Sequence, residues 1–516
     1  MVVGLFALTA PAQVHHHPDG HPWKQRANRG PDAEVPGWYY NLGPTGLRVE
    51  LVDAAPTELV VRYVFPGSVA AGHVLPGDRI VGAGGEAFVV PHQNGYGMEV
   101  FGARGPISDF ALRLDEAASA RGKLALALVR GDERLDVNLA LGAKHDAFSP
   151  SFPADCEKSE RLLAGLLEQL MAQQAENGSW GSPPRDTFAP LALLASGTPE
   201  HLAAVERNAR WHARSTNVEG DTDLVNWRYM AAAIVLSEYH LATGAEWVKP
   251  ELEEIYAFLI SSQYTDLAQL NPRVHESHPD AVPRDALDSH GGWGHNPGFE
   301  GYGPIAMLTG QGALAFALMG RCGVEIDPGR HAAAYAFLAR ATGRNGYVWY
   351  EDQVAGHDDW ADLGRTGAAA LANLMGGEAE LAERGRAQAT AIGRFPESFP
   401  DTHGSPILGM GYVALAAGLF DALEAEAKGV GADDEAEGGV APGLGPVGMR
   451  PGAFRSLMDS NRWWFTLAEC QDGSFYYQPN RDNAGYGPDS RLSPSAAVAL
   501  ILSIPKGNLV VTGRRP

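Results

Sequence analysis

Basic residues are scarce in this chain. Forty Lys and Arg stand against 62 Asp and Glu over 516 residues, a formal charge of −22. Counterion release from a phosphate backbone needs clustered Lys and Arg, so the balance argues against a nucleic-acid partner. Cysteine is scarcer still. Cys156, Cys322 and Cys470 are an odd three, far apart, with no CxxC. They allow one disulfide at most, disfavour a thiolate metal site, and read as buried small hydrophobes. No apolar run reaches membrane-spanning length; Ile407 to Phe420 is the longest and is too short.

The length implies two or three domains. Residues 1–12 form a short apolar run ending in Ala10-Pro11-Ala12, which fits a secretory signal with A-x-A cleavage, although the basic n-region is missing. Export to the periplasm or the extracellular space is the expectation. Residues 13–37, including "HHHPDGHPW", read as a polar, Pro-broken leader.

Residues 38–142 carry short β runs, "GLRVEL", "ELVVRYVF", "KLALALV" and "RLDVNLAL". Pro66-Gly67-Ser68 is expected to open a short helix, Pro76-Gly77-Asp78 to turn into a strand at Arg79–Ala83, and Gly84-Gly85 to make a tight hairpin. Ile107, Phe110, Ala111 and Leu114 have helical spacing. The motifs Pro66-Gly67-Ser68-Val69-Ala70, Gly77-Asp78-Arg79-Ile80 and Gly84-Gly85-Glu86 resemble those of a bacterial PDZ domain. The resemblance implies a small α+β unit that binds an extended peptide by strand addition. Its carboxylate-binding loop would map to Leu42, Gly43, Thr45, Gly46 and Leu47, with Pro44 removing one amide donor.

After a linker at 143–156, residues 157–505 alternate amphipathic helices with helices apolar on every side. The amphipathic ones are expected at Glu157–Gln174, Glu200–Arg214, Lys249–Gln263, Asp327–Ala341, Glu378–Gly393 and Pro451–Glu469. A helix apolar all round must be buried all round. Six outer and six inner helices predict an all-α (α/α)6 toroid whose longer, outer-to-inner links share one rim. The links repeat Gly plus aromatic: Asn177-Gly178-Ser179-Trp180, Gly291-Gly292-Trp293-Gly294, Asn345-Gly346-Tyr347 and Asp472-Gly473-Ser474-Phe475. They resemble turns of the terpene-cyclase and prenyltransferase toroids and of toroidal polysaccharide lyases and hydrolases. For "NGSW" a structural staple is the favoured reading. The whole arrangement resembles an uncharacterised bacterial family joining a PDZ unit to such a toroid, a resemblance that implies no activity. Lys428–Met449, acidic and Gly-rich, reads as a disordered insertion, and 506–516 as a tail.

Acids, histidines and aromatics gather on the links. Candidate catalytic residues are Asp288, His290, Glu300, Asp352, Asp401, His403, Tyr477 and Arg481; candidate sugar-stacking or ligand-binding residues are Trp293, His295, Tyr302, Trp349, Trp360 and Tyr476. Asp186, Asp362 and Asp401 are also N-cap candidates. Two carboxylates suit glycoside hydrolysis, with Asp288 or Glu300 paired with Asp352 or Asp401. His290, His403, Tyr477 and Arg481 suit β-elimination from a uronate. No cofactor is expected, though His290, His295, Asp401 and His403 leave room for a divalent metal. The expected partner is a polysaccharide or other polymer at the rim. The rival is a non-catalytic scaffold for peptide and ligand. An isoprenoid-type enzyme is poorly supported: D-x-C and D-x-D-D are both absent, and the rim is polar.

Overall fold

The computed structural model describes residues 38–92, 104–120, 122–142, 146–216, 224–270, 282–301, 303–352, 356–358, 363–400, 402, 406–428, 452–477 and 491–515. The strands are β1 (Trp38–Asn41), β2 (Leu47–Leu51), β3 (Leu59–Val64), β4 (Arg79–Ala83), β5 (Glu86–Ala87), β6 (Lys123–Arg130) and β7 (Glu133–Ala140). The helices are α1 (Pro106–Ser119), α2 (Glu157–Gln173), α3 (Pro183–Ser196), α4 (Pro199–Thr216), α5 (Val225–Thr243), α6 (Val248–Ser262), α7 (Ala306–Arg321), α8 (Pro328–Arg340), α9 (Leu363–Met375), α10 (Ala379–Ile392), α11 (Pro406–Lys428), α12 (Ala453–Ser460), α13 (Arg462–Ala468) and α14 (Leu492–Ser503). The chain divides into two compact units, 1–166 with 458–495, and 167–457 with 496–516. The first unit thus includes 458–495, which the sequence pattern assigned to the helical segment.

In the first unit the sheet is antiparallel, ordered β1-β2-β3-β4-β6-β7, with β5 paired to β4. Alternation buries Leu124, Leu126 and Leu128 of β6 on one face. On α1, Ile107, Phe110, Ala111, Leu114 and Ala118 form the apolar stripe that packs into the same core. Leu467 of α13 is part of that core, and Trp463 packs against it. Residues after Pro66 form turns rather than the expected short helix.

The loop expected to receive a peptide is covered by the fold itself. Strand addition needs a free edge, and β2 is paired to β1 on one side and to β3 on the other. Leu42, Gly43, Thr45, Gly46 and Leu47 are all buried. A Cβ on Gly43 would meet the Thr466 carbonyl oxygen of α13 at 2.6 Å. The loop between β1 and β2 is a covered corner of the unit.

The second unit is a two-layered helical body resembling an (α/α)6 toroid. α3, α5, α7, α9 and α11 pack in that sequence, each against the next. Their small residues set the spacing: a Cβ on Gly310 of α7 would lie 3.0 Å from Ala368 of α9, and one on Gly367 of α9 would lie 2.7 Å from the Val413 backbone of α11. Phe188 of α3 lies edge-on to Tyr412 of α11 and fills the space beside Gly411, which brings first and last together. The amphipathic α4, α6, α8 and α10 bury only one face. α11 is longer than its apolar run suggested. By length and composition Ile407–Ala427 could cross a membrane, but 78% of it is buried, as in a core helix.

One turn geometry recurs where an outer helix passes to an inner one. Ala175 N–H donates to Ser179 O, Gly343 N–H to Tyr347 O, Cys470 N–H to Ser474 O and Tyr264 N–H to Gly292 O. The third outer-to-inner link, between α6 and α7, closes with the same bond across the longer interval 265–291. The turn's later N–H is taken by an inner-helix side chain: Asp186 for Trp180, Thr309 for Trp293, Thr366 for Val348 and Ser495 for Phe475. The indole N–H groups of Trp180 and Trp293 donate to Leu170 O and Leu259 O of the preceding outer helices. Trp293 is fully buried by this staple, so its assignment as a ligand-stacking ring is corrected.

Asp186 does not cap α3. It reaches back and accepts from Ser179 Oγ (2.8 Å), Trp180 N (2.6 Å) and Asn208 Nδ2 (3.1 Å), while His212 Nε2 lies 2.9 Å from its backbone oxygen. Burial pushes the Asp186 carboxyl up to about 6 against the pull of these donors. Burial pushes the His212 imidazole down to about 4. Asp186 has a folded pKa above its unfolded 3.8, so it makes stability fall as pH rises from about 4 to about 6. His212 has one below its unfolded 6.5, so it makes stability rise with pH over about 4 to 6.5. The two slopes oppose one another. Thermal unfolding from pH 4 to 6.5 should show, relative to the unmodified chain, a Tm that rises with pH in Asp186→Asn and falls with pH in His212→Gln.

Candidate active site on the third and fourth links

The cluster is built around Ser289, whose φ of 64° is left-handed. A non-glycine residue adopts that conformation at a cost of roughly 1–2 kcal/mol, so its surroundings must hold it. Its N–H lies 3.1 Å from both carboxylate oxygens of Asp352, on the fourth outer-to-inner link, between α8 and α9. Arg340, the last residue of α8, donates Nε to Asp352 Oδ2 at 2.9 Å and Nη2 to His290 O at 2.6 Å. Asp288, on the other side of Ser289, accepts from the Arg284 backbone N (2.7 Å), Nε (2.7 Å) and Nη2 (3.1 Å), and from Ser289 Oγ (3.3 Å). Gln263, at the end of α6, ties the following turn to α8 by donating to Gly291 O (2.8 Å) and Arg330 O (3.1 Å). Gly291 cannot be replaced here: its φ is 90° and a Cβ would meet Ala333 O at 2.1 Å.

Asp288 and Asp352, from separate links, thus meet on one residue. Their environments differ. Burial acts to raise Asp288, but the hydrogen bonds and charge of Arg284 outweigh it and hold the carboxyl below its usual value. Asp352, with its side chain wholly buried, is raised by burial despite Arg340 and the Ser289 amide. Glu351, next in line, is exposed. Partial burial of its carboxyl and the nearby Asp288 and Asp352 raise its pKa against the pull of Arg284. His290 is half-buried; burial, Arg340 and Arg330 lower it, opposed by Asp352. A carboxyl whose pKa is lowered beside others whose pKa is raised is an arrangement able to give and take a proton.

The other candidates lie elsewhere. Glu300 is half-buried on the third link, and its Oε2 is buried without a hydrogen-bond partner among the described residues. His295 accepts the Trp227 indole N–H through Nδ1 at 2.8 Å and stacks on that ring, with centroids 6.0 Å apart. Asn226 and Asn296 complete this clamp on the start of α5. Trp349 is half-buried, edge-on to His357. Tyr476 and Tyr477 belong to the first unit and are buried there, at 2% and 3% exposure. Tyr476 lies against the buried Arg48 guanidinium, 5.5 Å from its ring centroid, and Tyr477 lies beside Trp464. Their assignments as a sugar platform and a base open to substrate are corrected: packing in the sheet-bearing unit claims both. Tyr302, Trp360, Asp362, Asp401, His403, Arg481 and nearly all of the 428–449 insertion lie outside the described residues. Among the described residues no group of three His, Cys, Asp or Glu is placed to hold a metal ion. Sequence reasoning passed over Arg284, Arg330 and Arg340. An arginine on a loop or on an amphipathic outer helix carries no local mark of a site. Glu351 was visible on its link but had nothing to distinguish it from Asp352.

An alternating helical body with an acid–arginine cluster on its links, preceded by a small antiparallel sheet, defines a two-unit protein of toroid-like class. The family model described as "Domain of unknown function (DUF6288)" matches residues 159–428, and the chain belongs to that family. No curated protein matches the sequence. Among solved structures it is similar to the GH76A alpha-1,6-mannanase from Salegentibacter sp. HEL1_6, with 12% identity over 67% of this chain and 98% of that one and a TM-score of 0.46. It is also similar to the Lin0763 protein from Listeria innocua, with 10% identity over 67% and 96% and a TM-score of 0.45. A third is the unsaturated glucuronyl hydrolase from Bacillus sp. GL1, with 13% identity over 69% and 98% and a TM-score of 0.39. At these TM-scores the site reading takes nothing from them.

Asp352→Ala would leave Arg340 without its counter-ion and the Ser289 amide without its acceptor. Breaking a buried pair on one side is strongly destabilising, so a loss of about 3 kcal/mol is expected, measured as a shift of the denaturation midpoint.

Proposed function

We propose that this protein is a glycan-processing enzyme of the glycoside-hydrolase type, with Glu351 as general acid and Asp288 as the anionic carboxylate. The observation that carries the reading is the convergence of Asp288, Glu351 and Asp352 from two links, with the first carboxyl held below and the other two above their usual pKa. Asp352, buried and bound on both oxygens, is the brace that positions the pair. Glu351 gives its proton to the glycosidic oxygen as the C–O bond breaks. Asp288 takes a proton from the attacking water or faces the positive charge developing at the anomeric carbon. The names of two similar structures, a mannanase and a glucuronyl hydrolase, agree with a glycan substrate but do not carry the proposal. Export, read from residues 1–12, is part of it. So is a PDZ-like origin for residues 38–142.

A second reading, β-elimination from a uronate, is favoured by one observation: burial, Arg340 and Arg330 lower the His290 pKa, as for a base flanked by cations. The products separate the two, since hydrolysis yields reducing ends alone and elimination adds an unsaturated sugar.

On a glycan that wild type cleaves, Glu351→Gln should lower kcat by about 10²–10⁴-fold and remove the alkaline limb of the pH profile. The acid limb, set by Asp288, should stay. Release of reducing ends across pH checks both. An unaltered kcat and profile in Glu351→Gln would sink the acid assignment, and no product from any glycan would leave the non-catalytic scaffold as the reading.

A further inference from the structure

Three ionisable groups at this site are left over once the clamp around Ser289 is complete. Glu351 is assigned above. The others are His290, whose ring makes no hydrogen bond among the described residues, and Arg330, which has no acid partner among them. Arg284 is matched by Asp288 and Arg340 by Asp352. Arg330 uses Nη1 to donate to Thr265 Oγ1 at 2.6 Å. A guanidinium has five N–H groups, so most of its donors are unspent, and the residue is half-buried rather than waving in solvent. Its place is fixed by backbone contacts: the Gln263 amide bridges Arg330 O and Gly291 O, one residue from His290, whose own carbonyl is held by Arg340. His290 and Arg330 are thereby fixed on either side of one bridging amide.

Of the three arginines gathered here, Arg284 and Arg340 are each matched by a carboxylate and Arg330 is not, among the described residues. A carboxylate or sulfate oxygen would satisfy the Arg330 guanidinium through charge-assisted bonds that a neutral sugar cannot offer. We propose that the glycan bound here is acidic, and that Arg330 with His290 receives the anionic group of one of its sugars. The inference rests on the glycan-processing reading and adds the substrate class.

The experiment measures binding separately from turnover. Calorimetry on full-length Glu351→Gln uses an oligogalacturonate, a sulfated galactan oligosaccharide and a neutral manno-oligosaccharide. At least one acidic ligand should bind about tenfold or more tighter than the neutral one, and whichever binds identifies carboxylate or sulfate. Adding Arg330→Gln should weaken that binding about tenfold or more, with Arg330→Lys recovering part of it, and thermal unfolding checks that each variant folds. Neutral ligand binding as tightly as both acidic ones, or acidic binding indifferent to Arg330→Gln, overturns the proposal. If an acidic ligand binds through Arg330 but wild type releases no product from it, the catalytic reading falls and this one stands. Product from neutral glycans alone does the reverse.

Discussion

The helical body depends on how each outer helix hands over to an inner one. A glycine at positive φ lies flat on the next outer helix, and the amide that follows is captured by a side chain of the inner helix. Both contacts are backbone-close, so neither tolerates a shift of an ångström. They set where the outer layer stands relative to the inner one, and small residues then let the inner helices meet. Hydrophobic burial supplies the driving force, but it is indifferent to register; the turn supplies the register.

The same turn explains why the third link can carry a site. An insertion of that length would ordinarily be free to wander. Here both of its ends are held by the turn's closing bond between Tyr264 and Gly292, and its last residues are clamped by Arg340 and Asp352. A left-handed Ser289 is the cost of that placement. Strained, over-determined positions of this kind accompany function more often than they accompany packing alone.

Charge is handled differently in the two units. In the first, the Arg48 guanidinium is fully buried between the Tyr39 and Tyr476 rings and donates to Asn41, and Lys158 pairs with Glu469 at 2.9 Å with both side chains almost inaccessible. Those ions belong to packing, since all three are shut off from solvent inside the unit. On the third and fourth links of the second unit, two ion pairs are complete, while Glu351, His290 and Arg330 keep unspent capacity. That difference, rather than the number of ionisable groups, separates a structural network from a candidate site.

Much of the architecture could be read from the chain alone. Helix faces follow from apolar spacing, the inner helices from having no polar face, and the turns from glycine beside an aromatic, because each of these is a property of consecutive residues. Asp288, His290 and Asp352 could be nominated for the same reason, as ionisable groups in segments unsuited to helix or strand. What the chain could not reveal is who partners whom. Trp293 and Tyr476 look like exposed platforms until another segment buries them. Residues 42–47 look like an open loop until β1 and α13 close over it. Arg330 and Arg340 look like ordinary helix surface until the third link folds across them. Partner choice is made between residues tens to hundreds of positions apart, through contacts that exist only once the layers have packed, so it belongs to the tertiary structure.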